Sequence, residues 1–275
     1  MADSLARLHE VMIVLYAVSL IFYFIDYLNK DQTARRIAFW LVSAVWIMQT
    51  IVLGLLVIVT GSFPVLSLSQ GIYFYVWVLI SLSIILHCIV RVDLPVFFLN
   101  IIGFIFLTIH TFAPAQLEQS SIGESLVSEL LFFHITFAIL SYAAFSLSFV
   151  FSLLYQILYY FLKKKKWTKQ WGRLPSLSQT EKGMTGAMLV GIPMLGISLI
   201  LGLQWAYVSL DEYTVLDPKI VGSILMVFIY CLLLTLVRKG KLVGVNYAWG
   251  HIYAFLLLLA NFFLGSRLSY FHFWY

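Results

Sequence analysis

The chemistry available to this chain rests mainly on its imidazoles. Six histidines, His9, His87, His110, His134, His251 and His272, stand in or beside long apolar runs. There an ionisable ring is costly and is usually kept for a purpose. Two imidazoles from facing helices can fill both axial positions of a haem iron, and aromatic walls suit the faces of a porphyrin. The competing reading of any single ring near a helix end is a neutral histidine that snorkels or bonds a backbone carbonyl. Other chemistry is thin. Cys88 and Cys231 stand alone, with no C-x-x-C, zinc spacing or haem-attachment motif. They are expected to be buried thiols acting as small apolar residues. The acids form no matched intramembrane pair, no Ser-His-Asp or metal-hydrolase spacing occurs, and no glycine-rich strand-turn-helix is present to hold a nucleotide.

Such rings need helices to position them, and the composition says what kind. With 62% hydrophobic and 11% charged residues and a mean hydropathy of +0.98, the chain has too little polar surface for a soluble domain. At roughly twenty apolar residues per crossing, hydropathy predicts about eight spans near 9–29, 36–60, 71–90, 94–113, 128–162, 185–208, 218–237 and 246–265. The expected fold is all-α: a polytopic transmembrane bundle forming one domain over 1–275. Four N-terminal spans would lie within 1–113 and four C-terminal spans within 128–275. The run from Val11 to Leu28 is too long for the core of a signal peptide and reads as a retained span.

Charge supplies the orientation. Lys30, Arg35, Arg36, Arg91, Lys163 to Lys166, Lys169, Arg173, Lys182, Arg238, Lys239 and Lys241 all fall in alternate loops. The other loops and the termini hold only Arg7, Lys219 and Arg267 together with most of the acids. The positive-inside rule then places both termini outside the cell. It also accounts for the net charge of +5 without invoking a nucleic acid. The largest cytoplasmic segment is Lys163–Lys182, in which Trp167 and Trp171 interleave with lysines. Membrane lipid is its default partner, and docking of a cytoplasmic protein is the alternative.

The stretch from Ser128 to Lys166 organises the rest. At helical spacing His134, Ala138, Ser141, Phe145, Ser148 and Ser152 share one small, polar face that should turn toward other helices. Four lysines anchor its inner end, which leaves His134 near the outer surface. The next span carries Gly183, Ala187 and Gly191, then Ser198 and Gly202, each four apart, and so invites close approach of a neighbour. Pro193 is expected to kink that span, and Asp217-Pro218 reads as an N-cap followed by proline in the first turn. Depth then sorts the imidazoles. His9, His110, His134 and His272 lie near the outside, whereas His87 and His251 lie near the inside and form a candidate pair of ligands.

Several segments resemble the CcsA/CcmC cytochrome c assembly family. The run from His134 through Ala138, Ser141 and Tyr142 to Phe145 is similar to the helix that precedes that family's tryptophan-rich loop. Gly202, Trp205 and Ala206, and then Asp217-Pro218-Lys219 leading to Ile229-Tyr230, resemble the flanks of the loop. Phe263-Leu264-Gly265 and Leu268-Ser269-Tyr270 resemble the closing segment. The resemblance implies that haem b is handled at the outer surface between two histidines, with His134 as the first. Val215 and Leu216 replace the usual tryptophans, and Leu268 replaces the second histidine. His272 or His110 is therefore expected to partner His134. These departures resemble a Gram-positive subgroup associated with control of haem synthesis through the amount of glutamyl-tRNA reductase. The resulting expectation is a non-enzymatic, haem-binding cell-membrane regulator, with that reductase as possible cytoplasmic partner. The alternatives are an assembly factor handling or exporting haem outside the membrane and, less favoured, an enzyme passing electrons from quinone through haem.

Overall fold

The computed structural model describes residues 2–61, 63, 65, 67–89, 93–112, 129–165, 174–209, 214 and 216–269. Among the described residues eight helices run in order: α1 Ala2–Asn29, α2 Gln32–Thr60, α3 Leu68–Ile89, α4 Asp93–Phe112, α5 Glu129–Lys163, α6 Leu177–Ser209, α7 Pro218–Arg238 and α8 Gly244–Leu268. Each contains a stretch long and apolar enough to cross a bilayer, and no strand occurs among the described residues. Large apolar side chains turn outward as they would toward lipid: Ile58, Val59, Ile89, Ile200 and Leu264 are 61% to 80% exposed. The chain is a multi-pass membrane protein.

Local signals explain most helix ends. Asp31 caps α2 by accepting from the Thr33 amide. At the other end Gly61 takes the left-handed conformation (φ 66°) and returns its N–H to the Val57 carbonyl, a role glycine fills without steric cost. Asp217 caps α7 ahead of Pro218, as expected. The sixth span differs, because α6 begins at Leu177 and not near residue 185. A reciprocal cap accounts for the extra turns. The Ser176 amide donates to Gln179 Oε1 at 2.8 Å, and the Gln179 amide donates to Ser176 Oγ at 3.1 Å. Lys182 is therefore helical and does not belong to a loop. The helix also continues through Pro193.

The helices group into two compact units, α1–α4 and α5–α8. In the first, Tyr16 donates to Asn100 Oδ1 at 2.9 Å, and Asn100 Nδ2 donates to Ser83 Oγ and to the Val96 carbonyl. This buried chain ties α1, α4 and α3 together. Gly103 makes room for it, since a Cβ there would lie 2.5 Å from the Tyr16 hydroxyl. Between α2 and α3, Trp46 donates to Ser81 at 2.7 Å and Trp77 donates to Thr50 at 2.8 Å, with the indoles stacked. Each such bond relieves a polar group that hydrocarbon would leave unsatisfied.

The second unit is built on α5, which touches both α6 and α8. Ser141, Phe145, Ser148 and Ser152 are all buried, so the small polar face does turn inward. Glycines of α6 receive rings from α5. A Cβ on Gly183 would meet the Phe151 ring at 2.7 Å, one on Gly191 the Phe145 ring at 2.6 Å, and one on Gly202 the His134 ring at 2.6 Å. The expectation of buried cysteines is corrected, because Cys88 and Cys231 are both exposed. Apolar surroundings in a membrane chain include the lipid-facing side as well as the core.

Candidate functional site

His134 lies just over one turn into α5, its ring lodged against Gly202 of α6. Nδ1 is 2.6 Å from the Ser198 carbonyl oxygen, and the Ser198 hydroxyl donates to the His134 carbonyl at 2.8 Å. A carbonyl can only accept, so the bonding assigns the ring proton to Nδ1 and leaves the lone pair on Nε2. Lys219 of α7 stands within electrostatic reach of this ring. Its ammonium donates to the carbonyls of Asn261 and Phe262 at 3.2 and 3.3 Å, near the end of α8. Asp217 completes this end of the unit. Its Oδ1 accepts from the Lys219 amide at 2.9 Å and its Oδ2 from the Ser269 hydroxyl at 2.8 Å.

His251 on α8 is 1% exposed and follows the same rule. Its Nδ1 is 2.8 Å from Ser148 Oγ on α5, while Ser148 donates to the Met184 carbonyl of α6 at 3.0 Å. The hydroxyl has one proton, so His251 Nδ1–H is the donor and Nε2 keeps the lone pair. Nε2 is buried with no hydrogen-bond partner among the described residues. Tyr247 packs edge-on against the ring and holds Thr185 of α6 through its own hydroxyl at 2.9 Å.

The remaining histidines lie in the first unit or outside the described residues. His110 Nδ1 meets the Ser69 carbonyl and hydroxyl, each at 3.0 Å, while His87 stacks on Phe39 with centroids 4.6 Å apart. His87 Nδ1 is buried without a partner among the described residues. The expected pairings of His134 with His110, and of His87 with His251, join residues of different units, and each ring is described within its own. His272, Trp167 and Trp171 lie outside the described residues. The three serines that orient imidazoles were not singled out as their partners by sequence. Ser148 was visible on the correct face of α5, but nothing local ties it to a ring 103 residues away.

The donor set suits a haem iron. Metal-ligating imidazoles characteristically donate Nδ1–H to a fixed acceptor and present Nε2 to the metal. His134 and His251 are both in that state. Among the described residues no three His, Cys, Asp or Glu side chains gather where a metal ion could bind. A porphyrin iron asks the protein for only one or two ligands.

The sequence places this architecture in a family. Residues 65–272 match the family described as Cytochrome C assembly protein, and the chain belongs to it. It is also similar to Protein HemX of Bacillus subtilis (strain 168), with 47% identity over 269 residues and 98% of each chain covered. Protein HemX of Brevibacillus brevis is 39% identical over 267 residues, 97% of each chain.

Proposed function

We propose that this protein binds haem b in the cell membrane of a Gram-positive bacterium and restrains tetrapyrrole synthesis by lowering the abundance of glutamyl-tRNA reductase. It would do so without being an enzyme. The observation that carries the haem reading is His134, whose Nδ1–H is committed to Ser198 while Nε2 is left as a ligand. The regulatory reading is supported by similarity to proteins named HemX along nearly the whole chain, and by the absence of the family's tryptophans and second histidine at Val215, Leu216 and Leu268.

In this reading His134 is the outer ligand and His272, in the same compact unit of the chain, its partner. On the inner side His251 and His87 each keep a nitrogen without a hydrogen-bond partner among the described residues, and each is a candidate ligand within its own unit. Bound haem would supply an iron centre and a chromophore that reports its own ligation. The chain's part is to orient the imidazoles and to surround them with apolar and aromatic walls. His134→Ala should lower haem content and shift the Soret band of protein purified in detergent. An unchanged spectrum at full occupancy would remove His134 from the site.

The family match itself favours a second reading, an assembly factor that handles or exports haem outside the membrane. Deleting the gene separates the two. Loss of c-type cytochrome maturation supports assembly, whereas normal maturation with raised reductase supports regulation.

A further inference from the structure

Three rings from three helices meet in the first unit. His9 of α1 lies 5.1 Å from His110 of α4 and 5.4 Å from Tyr73 of α3, centroid to centroid, and Tyr73 lies 4.8 Å from His110. His9 Nε2 is buried and has no hydrogen-bond partner among the described residues. His110 Nδ1 is held by the Ser69 carbonyl, which puts the proton on Nδ1 and the lone pair on Nε2. Met12, three residues from His9 on the same face of α1, is fully buried, and its sulfur accepts the Tyr73 hydroxyl at 3.8 Å. Two imidazoles and a thioether are thus gathered around one tyrosine. No third His, Cys, Asp or Glu among the described residues joins them as a metal-holding group.

The ring spacing tells against a haem between these two histidines. With metal–nitrogen bonds of about 2.0 Å and the ring centroid about 1.1 Å behind each nitrogen, trans imidazoles on one iron stand roughly 6.2 Å apart. At a tetrahedral angle the same bonds put the centroids about 5.1 Å apart, a geometry that the observed 5.1 Å permits. The donors also select the ion. A thioether favours soft metals, of which copper(I) is the common one with imidazole and methionine ligands. Every donor is neutral, and the cost of burying an ion in an apolar medium rises with the square of its charge, so a monovalent ion is favoured over a divalent one.

We propose that His9, Met12 and His110 form a copper(I) site walled by Tyr73, separate from the haem ligands and independent of the haem reading. The test titrates the full-length protein in detergent with copper(I) from a chromogenic chelator under reducing, oxygen-free conditions. One equivalent should transfer, and X-ray absorption should show two nitrogen neighbours and one sulfur. His9→Ala and His110→Ala should each weaken binding by roughly tenfold or more, as loss of a metal-binding partner does. Met12→Leu conserves volume, so it should keep the wild-type unfolding temperature and the nitrogen shell while losing the sulfur. Absence of transfer, a preference for zinc(II) over copper(I), or a sulfur signal that survives Met12→Leu would each overturn the assignment.

Discussion

Ser148 fixes which nitrogen of His251 carries the proton. Its single hydroxyl hydrogen goes to the Met184 carbonyl, so the imidazole 2.8 Å away donates and cannot accept. Ser148→Ala removes that constraint and lets the ring turn or change tautomer. If His251 ligates haem, the substitution should weaken that haem by about 10- to 100-fold, the usual effect of losing an orienting partner. Transfer of haem to apomyoglobin measures it, and unchanged retention would reduce Ser148 to a space-filling role.

Gly202 sets the position of His134. A methyl there would sit 2.6 Å from ring atoms Cε1 and Nδ1, well inside van der Waals contact. Gly202→Ala should push the imidazole off Ser198, cost about 1–3 kcal/mol of stability and reproduce part of the spectral change of His134→Ala. Gly196→Ala on the same helix meets nothing within 4 Å. It should be neutral or stabilising by roughly 0.5–1 kcal/mol. Thermal unfolding in detergent compares the two, and equal effects would contradict the tight seam.

The lysines predict an orientation. A cysteine introduced at residue 170 should react with a membrane-impermeant maleimide only after the cells are opened, because the segment around it carries the densest positive charge in the chain. Cysteines placed between residues 116 and 128 should react in intact cells. The reverse pattern would invert the topology.

The basic segment can be an anchor or a dock. Replacing Trp167 and Trp171 with Ala while keeping every lysine preserves the charge that lipid recognises and removes the aromatic anchors a protein partner would use. Under the regulatory reading, membrane insertion stays normal and the cell's glutamyl-tRNA reductase level rises toward that of a deletion strain. An unchanged immunoblot would make the segment a lipid anchor.

Much of the second unit was legible because one polar face on α5 is hard to hide. Ser141, Ser148 and Ser152 repeat along an otherwise apolar helix, and burial of that face follows from the cost of showing hydroxyls to lipid. The glycine spacing of α6 likewise announced a close neighbour. What the sequence withheld was the pairing: which ring enters which glycine, and which serine meets His251. Those contacts join residues far apart in the chain and leave no periodic trace. The first turns of α6 were misread because Glu181 and Lys182 look like loop residues, although the Ser176-x-x-Gln179 cap was present. The cysteines were misread because hydrophobicity cannot separate a core face from a lipid face.

The two hydrogen bonds accepted by Asp217 have a consequence for the end of α8. Ser269 is fastened to the start of α7, and the Lys219 ammonium donates to the Asn261 and Phe262 carbonyls near the end of α8. The last turn of α8 is thus latched at two points of opposite charge. Helix ends otherwise open before the rest of a fold. Asp217→Ala releases the Ser269 latch and leaves the lysine in place, so the end of α8 should loosen ahead of the rest of the unit.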